Sequence, residues 1–220
     1  MKSIIIVCEG QTEEEFCKTI LRPYFKPKAI FIKNPLIERS NGGIVSWKIL
    51  KKEIENHLQT KNTFVTTLID YYGIKASDNF SNWEDIQDVK DADKNAKIDN
   101  LENAMRNDIS AALRDRFIPY VQLHEFESLL FVDLKVFDTL FDKNDFKDYK
   151  YLKKTIEDNP NPEMINNGQT TAPSKRLEDR IMKSYSKIQN GNEIAKEIGL
   201  TNIRQKCPRF NHWIEILEKE

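Results

Sequence analysis

The stretch Ile4-Ile5-Ile6-Val7-Cys8-Glu9-Gly10 constrains this chain more than any other. Five consecutive apolar residues, most of them β-branched, suit a short strand buried on both faces. Strands of that kind sit in parallel sheets, where helices cover both sides. Glu9 stands where the strand must end, and Gly10 permits a sharp turn. Thr12 with Glu15 fits a capping box, and Phe16, Ile20 and Leu21 give the following helix an apolar face. A carboxylate at the C-terminal end of a buried strand, beside a helix start, is well placed to hold a cation, and α/β folds gather their sites along that edge. The plainer reading is that Glu9 caps the first helix.

The same grammar recurs along the chain. Residues 29–33 read as a second strand closed by Asn34-Pro35, after an aromatic turn bracketed by Pro23 and Pro27. Asn41-Gly42-Gly43 reads as a turn; no Gly-Lys-Ser/Thr follows to make it a phosphate cradle. Trp47, Leu50, Ile54 and Leu58 give a helix over 44–58, and residues 63–69 a third strand ending at Asp70. Residues 77–97 form a polar insertion with a short helix capped by Ser81 and Glu84, and a helix spans 98–116. Residues 117–123 make a fourth strand, which Pro119 places near a sheet edge, and His124-Glu125-Phe126-Glu127 follows at once. Strands alternating with helices predict an α/β fold: a mostly parallel sheet of about four strands flanked by helices.

From Asp133 onward the pattern is helical. Segments at 134–141 and 149–156, an N-cap at Asn161-Pro162, a loop at 168–174 and a basic helix closed by Gly191 precede amphipathic pieces at 194–198 and 210–217. The expectation is one domain over 1–220, with a core of about 1–132 and a helical C-terminal extension of about 133–220.

Thirty-four Lys and Arg against 35 Asp and Glu exclude a uniformly basic nucleic-acid coat but leave room for a local basic patch. Cys8, Cys17 and Cys207 match no zinc spacing, and Cys8 and Cys17 read as reduced core thiols. No apolar run approaches the ~20 residues of a membrane span, and the first residues do not resemble a signal peptide. The expected location is cytoplasmic, away from membranes.

Three strand ends carry carboxylates: Glu9, Asp70, and Glu125 or Glu127. A parallel sheet can bring such groups to one edge, and a divalent cation relieves their repulsion; magnesium suits hard oxygen ligands and keeps several waters. The bland alternative is a cap and two solvated loop carboxylates. His124 could orient a water or a phosphate, although a lone histidine beside carboxylates is more often simply hydrogen-bonded. Lys175, Arg176, Arg180, Lys183 and Lys187 share a stripe if helical and could contact phosphates, but Glu178 and Asp179 interrupt it as on a solvated face. Residues 194–201 resemble the start of a helix-turn-helix whose second helix Pro208 should break. Arg204, Lys206 and Arg209 flank Phe210 and Trp213, whose spacing reads as core.

Residues 6–16, Ile-Val-Cys-Glu-Gly-Gln-Thr-Glu-Glu-Glu-Phe, resemble the opening of the TOPRIM domains of topoisomerases, primases and OLD-type nucleases. Leu-Ile-Asp-Tyr-Tyr-Gly at 68–73 and Leu-His-Glu-Phe-Glu-Ser-Leu-Leu-Phe at 123–131 resemble the bacterial TOPRIM-like family called domain of unknown function 4276. The resemblance implies that Glu9 matches the single TOPRIM glutamate, a metal ligand or general acid/base, and that Asp70 matches the first aspartate of an Asp-x-Asp motif. Tyr72 stands where the second aspartate would be, which weighs against two-metal chemistry. Glu127, or Glu125, would supply the missing ligand; a helix from His124 would put His124 and Glu127 on one face and favours Glu127. The implied function is a nuclease, or another phosphodiester-processing protein, dependent on Mg2+ or Mn2+. It would act in bacterial phage defence beside an ATPase partner, with Lys175, Arg176, Arg180 and Lys183 on the nucleic acid; a homodimer is compatible with this. The alternative is a non-catalytic TOPRIM-like module that docks an ATPase or senses a phage component. A DNA-binding regulator using the C-terminal helices is a third, weaker reading.

Overall fold

One strand with a parallel partner on each side organises the N-terminal part of the chain. The structure, a computed structural model, describes residues 2–38, 40, 43–88, 94–165, 168 and 170–220. Asn41-Gly42 of the expected turn, residues 89–93 of the polar insertion and Gln169 of the later loop lie outside the described residues. The chain forms two units, one running to Leu123 and including Leu217–Glu220, the other His124–Ile216.

In the first unit β1 (Lys2–Cys8) pairs with β2 (Ile30–Lys33) from Lys2↔Ile30 to Ile5↔Lys33, and with β3 (Thr63–Asp70) from Ser3↔Thr63 to Cys8↔Leu68. On its far side β3 pairs with β4 (Phe117–Ile118) and β5 (Val121–Gln122), and every pairing is parallel. The fold is therefore α/β, with five strands where the sequence predicts about four. The fourth segment divides because Pro119 has no N–H for the ladder. Tyr120 turns instead to Thr67, whose hydroxyl donates to its carbonyl (2.8 Å) and accepts its N–H (3.1 Å). The edge position predicted from Pro119 holds, since β4 closes the order β2-β1-β3-β4.

Side chains alternate across a strand, so β1 feeds two cores. Ile5 and Val7 join Val65, Ile69, Phe117 and Val121 under α3 (Trp47–Leu58) and α5 (Lys94–Asp108). Ile4, Ile6 and Cys8 bury the other face, with the Cys8 thiol 3.8 Å from that of Cys17. All three cysteines are buried and free, as expected for Cys8 and Cys17.

The first helix departs from expectation. It starts as α1 (Gln11–Phe16), widens to a π turn over Cys17–Leu21 and continues through α2 (Arg22–Phe25) into a 3-10 turn, Lys26–Lys28. Pro23 and Pro27 thus lie within helical structure rather than around a turn. The π turn allows this: Arg22 N–H bonds to the Cys17 carbonyl, a five-residue reach that opens the turn ahead of the Pro23 ring. Gly10 occupies the N-cap and accepts Glu14 N–H through its carbonyl, so Thr12 falls inside the helix and the predicted capping box does not form.

Two further helices differ from their expected bounds. α3 begins at Trp47, not residue 44, with the Ser46 carbonyl accepting the first helical amides. α5 stops at Asp108, short of residue 116, because the Glu55 carboxylate takes both the N–H and the hydroxyl of Ser110 (2.9 and 2.6 Å). Arg116 then closes the far end of α3, donating to the carbonyls of Leu58, Thr60 and Thr63. The short α4 (Trp83–Asp88) is present, but Ser81 hydrogen-bonds to Asp108 rather than capping it.

The second unit is helical: α6 (Leu134–Leu140), α7 (Tyr149–Asp158), α8 (Pro173–Lys175), α9 (Gln189–Ile198) and α10 (Leu200–Lys206) precede α11 (Pro208–Lys219). Asp133, Asp148 and Asn161 each cap a helical turn through the side chain. The basic helix is shorter than predicted. α8 passes into a π turn, Arg176–Ile181, and stops there, because Met182 bridges in extended form to Phe146 and the Ile181 carbonyl accepts Lys147 N–H. Gly191 lies inside α9 and ends nothing. Pro208 opens α11 instead of breaking a helix, and the helix that follows Gly199, α10, ends before it at Lys206 rather than running through it; Phe210 and Trp213 are buried core. Among the described residues no helix is long and apolar enough to cross a membrane.

Two hydrogen-bond arrangements give measurable expectations. Thr67→Val preserves shape but strips both Tyr120 backbone groups of the hydroxyl, and is expected to lower stability by about 1–3 kcal/mol in urea titrations. Buried Glu163 accepts the amides of Arg209 (3.0 Å) and Phe210 (2.9 Å) at the start of α11. Burial, only partly offset by those bonds, raises its pKa. A raised acid favours the folded state while protonated, so this contribution is full below the ordinary glutamate range and fades as pH rises through the elevated value. Glu163→Gln should flatten that component of a stability–pH curve; an unchanged curve would contradict the assignment.

Candidate functional site

Parallel strands end together, and here their ends are polar. Along the C-terminal edge of the first unit stand Asn34 after β2, Glu9 after β1, Asp70 closing β3 and Gln122 closing β5. Glu9 follows directly from the ladder, its N–H bonded to the Leu68 carbonyl (3.1 Å). Its side chain reaches across the strand gap, where Oε2 accepts Asp70 N–H at 2.8 Å. The two carboxylate residues named from the sequence are thus joined, carboxylate to backbone, at the centre of the sheet edge.

The space around Glu9 is closely fitted. A Cβ on Gly73 would lie 2.9 Å from Glu9 Oε1, so the absence of a side chain there lets the carboxylate lie against the turn Tyr71–Gly73. A Cβ on Gly10 would lie 3.0 Å from Glu13 Oε2, and Glu13 itself is buried in the first turn of α1. Asn34 donates to the Glu14 carbonyl at 2.8 Å, tying the end of β2 to that turn. Tyr72, at the second-aspartate position of the resemblance, is exposed, while Tyr71 packs on Trp83.

His124, Glu125 and Glu127 belong to the second unit. The 3-10 turn there covers Phe126–Leu130, so His124 and Glu125 precede it and no helix from His124 sorts the two glutamates by face. Glu125 grips the start of α8, accepting Ser174 N–H (2.8 Å) and the Ser174 hydroxyl (2.9 Å). Glu127 is buried with Lys187 Nζ 3.6 Å away, and His124 is fully buried. Tyr185, expected within the basic helix, lies instead in the loop after the π turn, within electrostatic reach of Glu127 and Glu125. Burial first, then the charges of Glu127, Glu178 and Glu125, hold its phenol well above the ordinary range, so it stays a donor.

The basic stripe is mostly spoken for inside the same unit. Lys175 pairs with Glu178 (2.8 Å), and Arg176 donates to the Thr171 carbonyl (2.7 Å) and the Tyr151 hydroxyl (2.9 Å). Arg180 stacks over the Tyr151 ring at 4.2 Å. Lys183 and Lys187 lie beyond the helix, so the predicted stripe does not run its full length. Among the described residues, no three His, Cys, Asp or Glu side chains form a group that could hold a metal ion.

A family model, Domain of unknown function (DUF4276), matches residues 8–218. The chain belongs to the DUF4276 family. No curated protein and no solved structure matches it. The match begins at Cys8, so in this DUF4276 protein it takes in Glu9, Asp70 and Gly73 of the sheet edge and all of the His124–Glu127 segment.

Sequence reasoning named Glu9 and Asp70 but missed Gly73 and Glu13. Gly73 could have been found, since Leu-Ile-Asp-Tyr-Tyr-Gly ends on a glycine that no turn geometry demands; Glu13 is one of three adjacent glutamates with nothing to single it out. Gly73→Ala should push Glu9 off the Asp70 amide. Hydrogen exchange at that amide is then expected to quicken by roughly threefold to tenfold, the worth of one ordinary hydrogen bond.

Proposed function

We propose that this DUF4276 protein is a TOPRIM-like, metal-dependent nuclease or related phosphodiester-processing protein, with Glu9 and Asp70 at its centre. The observation that carries the reading is the carboxylate of Glu9 fixed against Asp70 at the C-terminal edge of a parallel sheet. That is the edge where α/β folds carry their chemistry. Two carboxylates suit magnesium, which is commonly held by one or two acids with waters and substrate phosphate filling the other positions. They do not suit a cation caged by protein alone. Such an ion would polarise a phosphodiester or supply an activated water. The chain's own part would be to orient: the Asp70 amide fixes Glu9 Oε2, and Gly73 leaves room for Oε1. Action in phage defence beside an ATPase follows from the family resemblance.

A second reading has its own support. Tyr72 in place of an acid, and a basic stripe whose cations mostly serve internal pairs, fit a TOPRIM-like module that binds a partner without cutting. Cleavage of plasmid, single-stranded DNA and RNA with Mg2+ or Mn2+ separates the two. The enzyme reading expects activity removed by chelation and lowered by at least about a hundredfold in Glu9→Gln and Asp70→Asn with circular dichroism unchanged, in the range seen when a group stabilising developing charge is lost. Cleavage surviving both substitutions rejects it. Absence of any cleavage, with no heat of magnesium binding even when DNA is present, selects the binding module.

A further inference from the structure

We propose that the open edge of β2 is a docking site for an extended, acidic segment of a partner protein. β2 is the last strand on its side of the sheet, and among the described residues it pairs with β1 alone. In a strand the backbone N–H and C=O groups of alternate residues point to opposite sides, so half of those in β2 face away from β1 and are open to a further strand. Beside that edge lies a groove of about 440 Å³ lined by Arg22, Lys26, Ala29, Ile30, Phe31 and Ile32.

The groove's chemistry narrows the occupant. Phe31 is 52% exposed, the most exposed large apolar side chain among the described residues, while its neighbours Ile30 and Ile32 are buried. Single exposed apolar residues are common, but this one sits on an open strand edge, where protected sheets place charge. Lys33 shares the face of Phe31, two residues along the strand, and exposed Arg22 and Lys26 stand four residues apart on the helical segment before it. Among the described residues Arg22 and Lys26 enter no ion pair, unlike Lys18 and Lys28, which pair with Glu15 and Glu218. An open edge, an apolar anchor and a cationic rim together fit a peptide that adds as a strand, with one apolar side chain against Phe31 and acids beside the rim. A second copy of this chain fits worse, because it would set Arg22, Lys26 and Lys33 against their own equivalents. A nucleic acid could use the cations and stack on Phe31 but would leave the strand edge unused.

The proposal is independent of the nuclease reading, since neither Glu9 nor Asp70 takes part. The test uses the full chain and a short fluorescein-labelled peptide of alternating glutamate and valine, followed by anisotropy at low and high salt. Binding is expected, weaker at high salt, absent for the matching lysine–valine peptide, and accompanied by slowed amide exchange in β2. The double charge reversal Arg22→Glu, Lys26→Glu should weaken it by roughly tenfold or more, as should Phe31→Ser; all three positions are exposed, so folding is expected to survive, and circular dichroism checks it. The proposal fails if the acidic peptide does not bind, if charge reversal leaves binding unchanged, or if β2 exchange is unaltered. Displacement by oligothymidylate at comparable concentration would reassign the groove to nucleic acid, and a concentration-dependent dimer abolished by Phe31→Ser would reassign it to self-association.

Discussion

The parallel pairing of β1 with a strand on each side is the constraint from which the first unit follows. Two partners satisfy both hydrogen-bonding edges of β1 and leave its two faces to be covered by helices above and below, which demands the unbroken apolar run from Ile4 to Cys8. Parallel direction then brings every strand's C-terminal end to one edge. The first residue after the ladder that can afford a charge is Glu9, and its neighbour across the gap is the last residue of β3. The bond from Asp70 N–H to Glu9 is therefore a product of topology and register. A slip of one residue in Ser3↔Thr63 would send the side chains of β3 to the wrong faces and move Asp70 away from Glu9.

Much of that edge was legible because strands announce themselves locally. Residues 63–69 concentrate β-branched and apolar types, and the observed strand agrees to within one residue. What escaped were interactions between residues far apart in sequence. The early end of α5 depends on Glu55, fifty-five residues before Ser110. The division of the fourth strand depends on the hydroxyl of Thr67 reaching Tyr120. The passage of a helix through Pro23 depends on a π turn, which no periodicity of 3.6 reveals. Gly73 matters through a side chain that lies sixty-four positions earlier.

The same physics explains why charge was the poorest guide. A run such as Lys175, Arg176 and Arg180 looks like a phosphate-binding face when only spacing is known. In the fold, Arg176 and Arg180 converge on Tyr151, and Lys175 on Glu178, so these cations spend their hydrogen bonds and their stacking inside their own unit. Arg22, Lys26 and Lys33 drew no notice in the sequence because they are scattered over a helix and a strand. Arg22 and Lys26 nonetheless line the groove beside an exposed aromatic ring, with exposed Lys33 two residues along the strand. Whether a basic residue is available to a ligand is a property of what lies within reach of it, which spacing along the chain does not encode.

Tyr72 bears on chemistry in a similar way. In an Asp-x-Asp arrangement both acids leave the end of one strand, and the second adds a ligand at little structural cost. Here the positions after Asp70 turn at once into Tyr71–Gly73, with Tyr71 packed against Trp83 and Gly73 pressed on Glu9. That turn is built to hold Glu9 in place rather than to present another acid. A site of this kind gains precision in one carboxylate and gives up ligand number. Under the proposed nuclease function such a site would take an ion that arrives with its own waters and a substrate phosphate; under the binding-module reading it would offer a partner a fixed hydrogen-bond acceptor at the sheet edge.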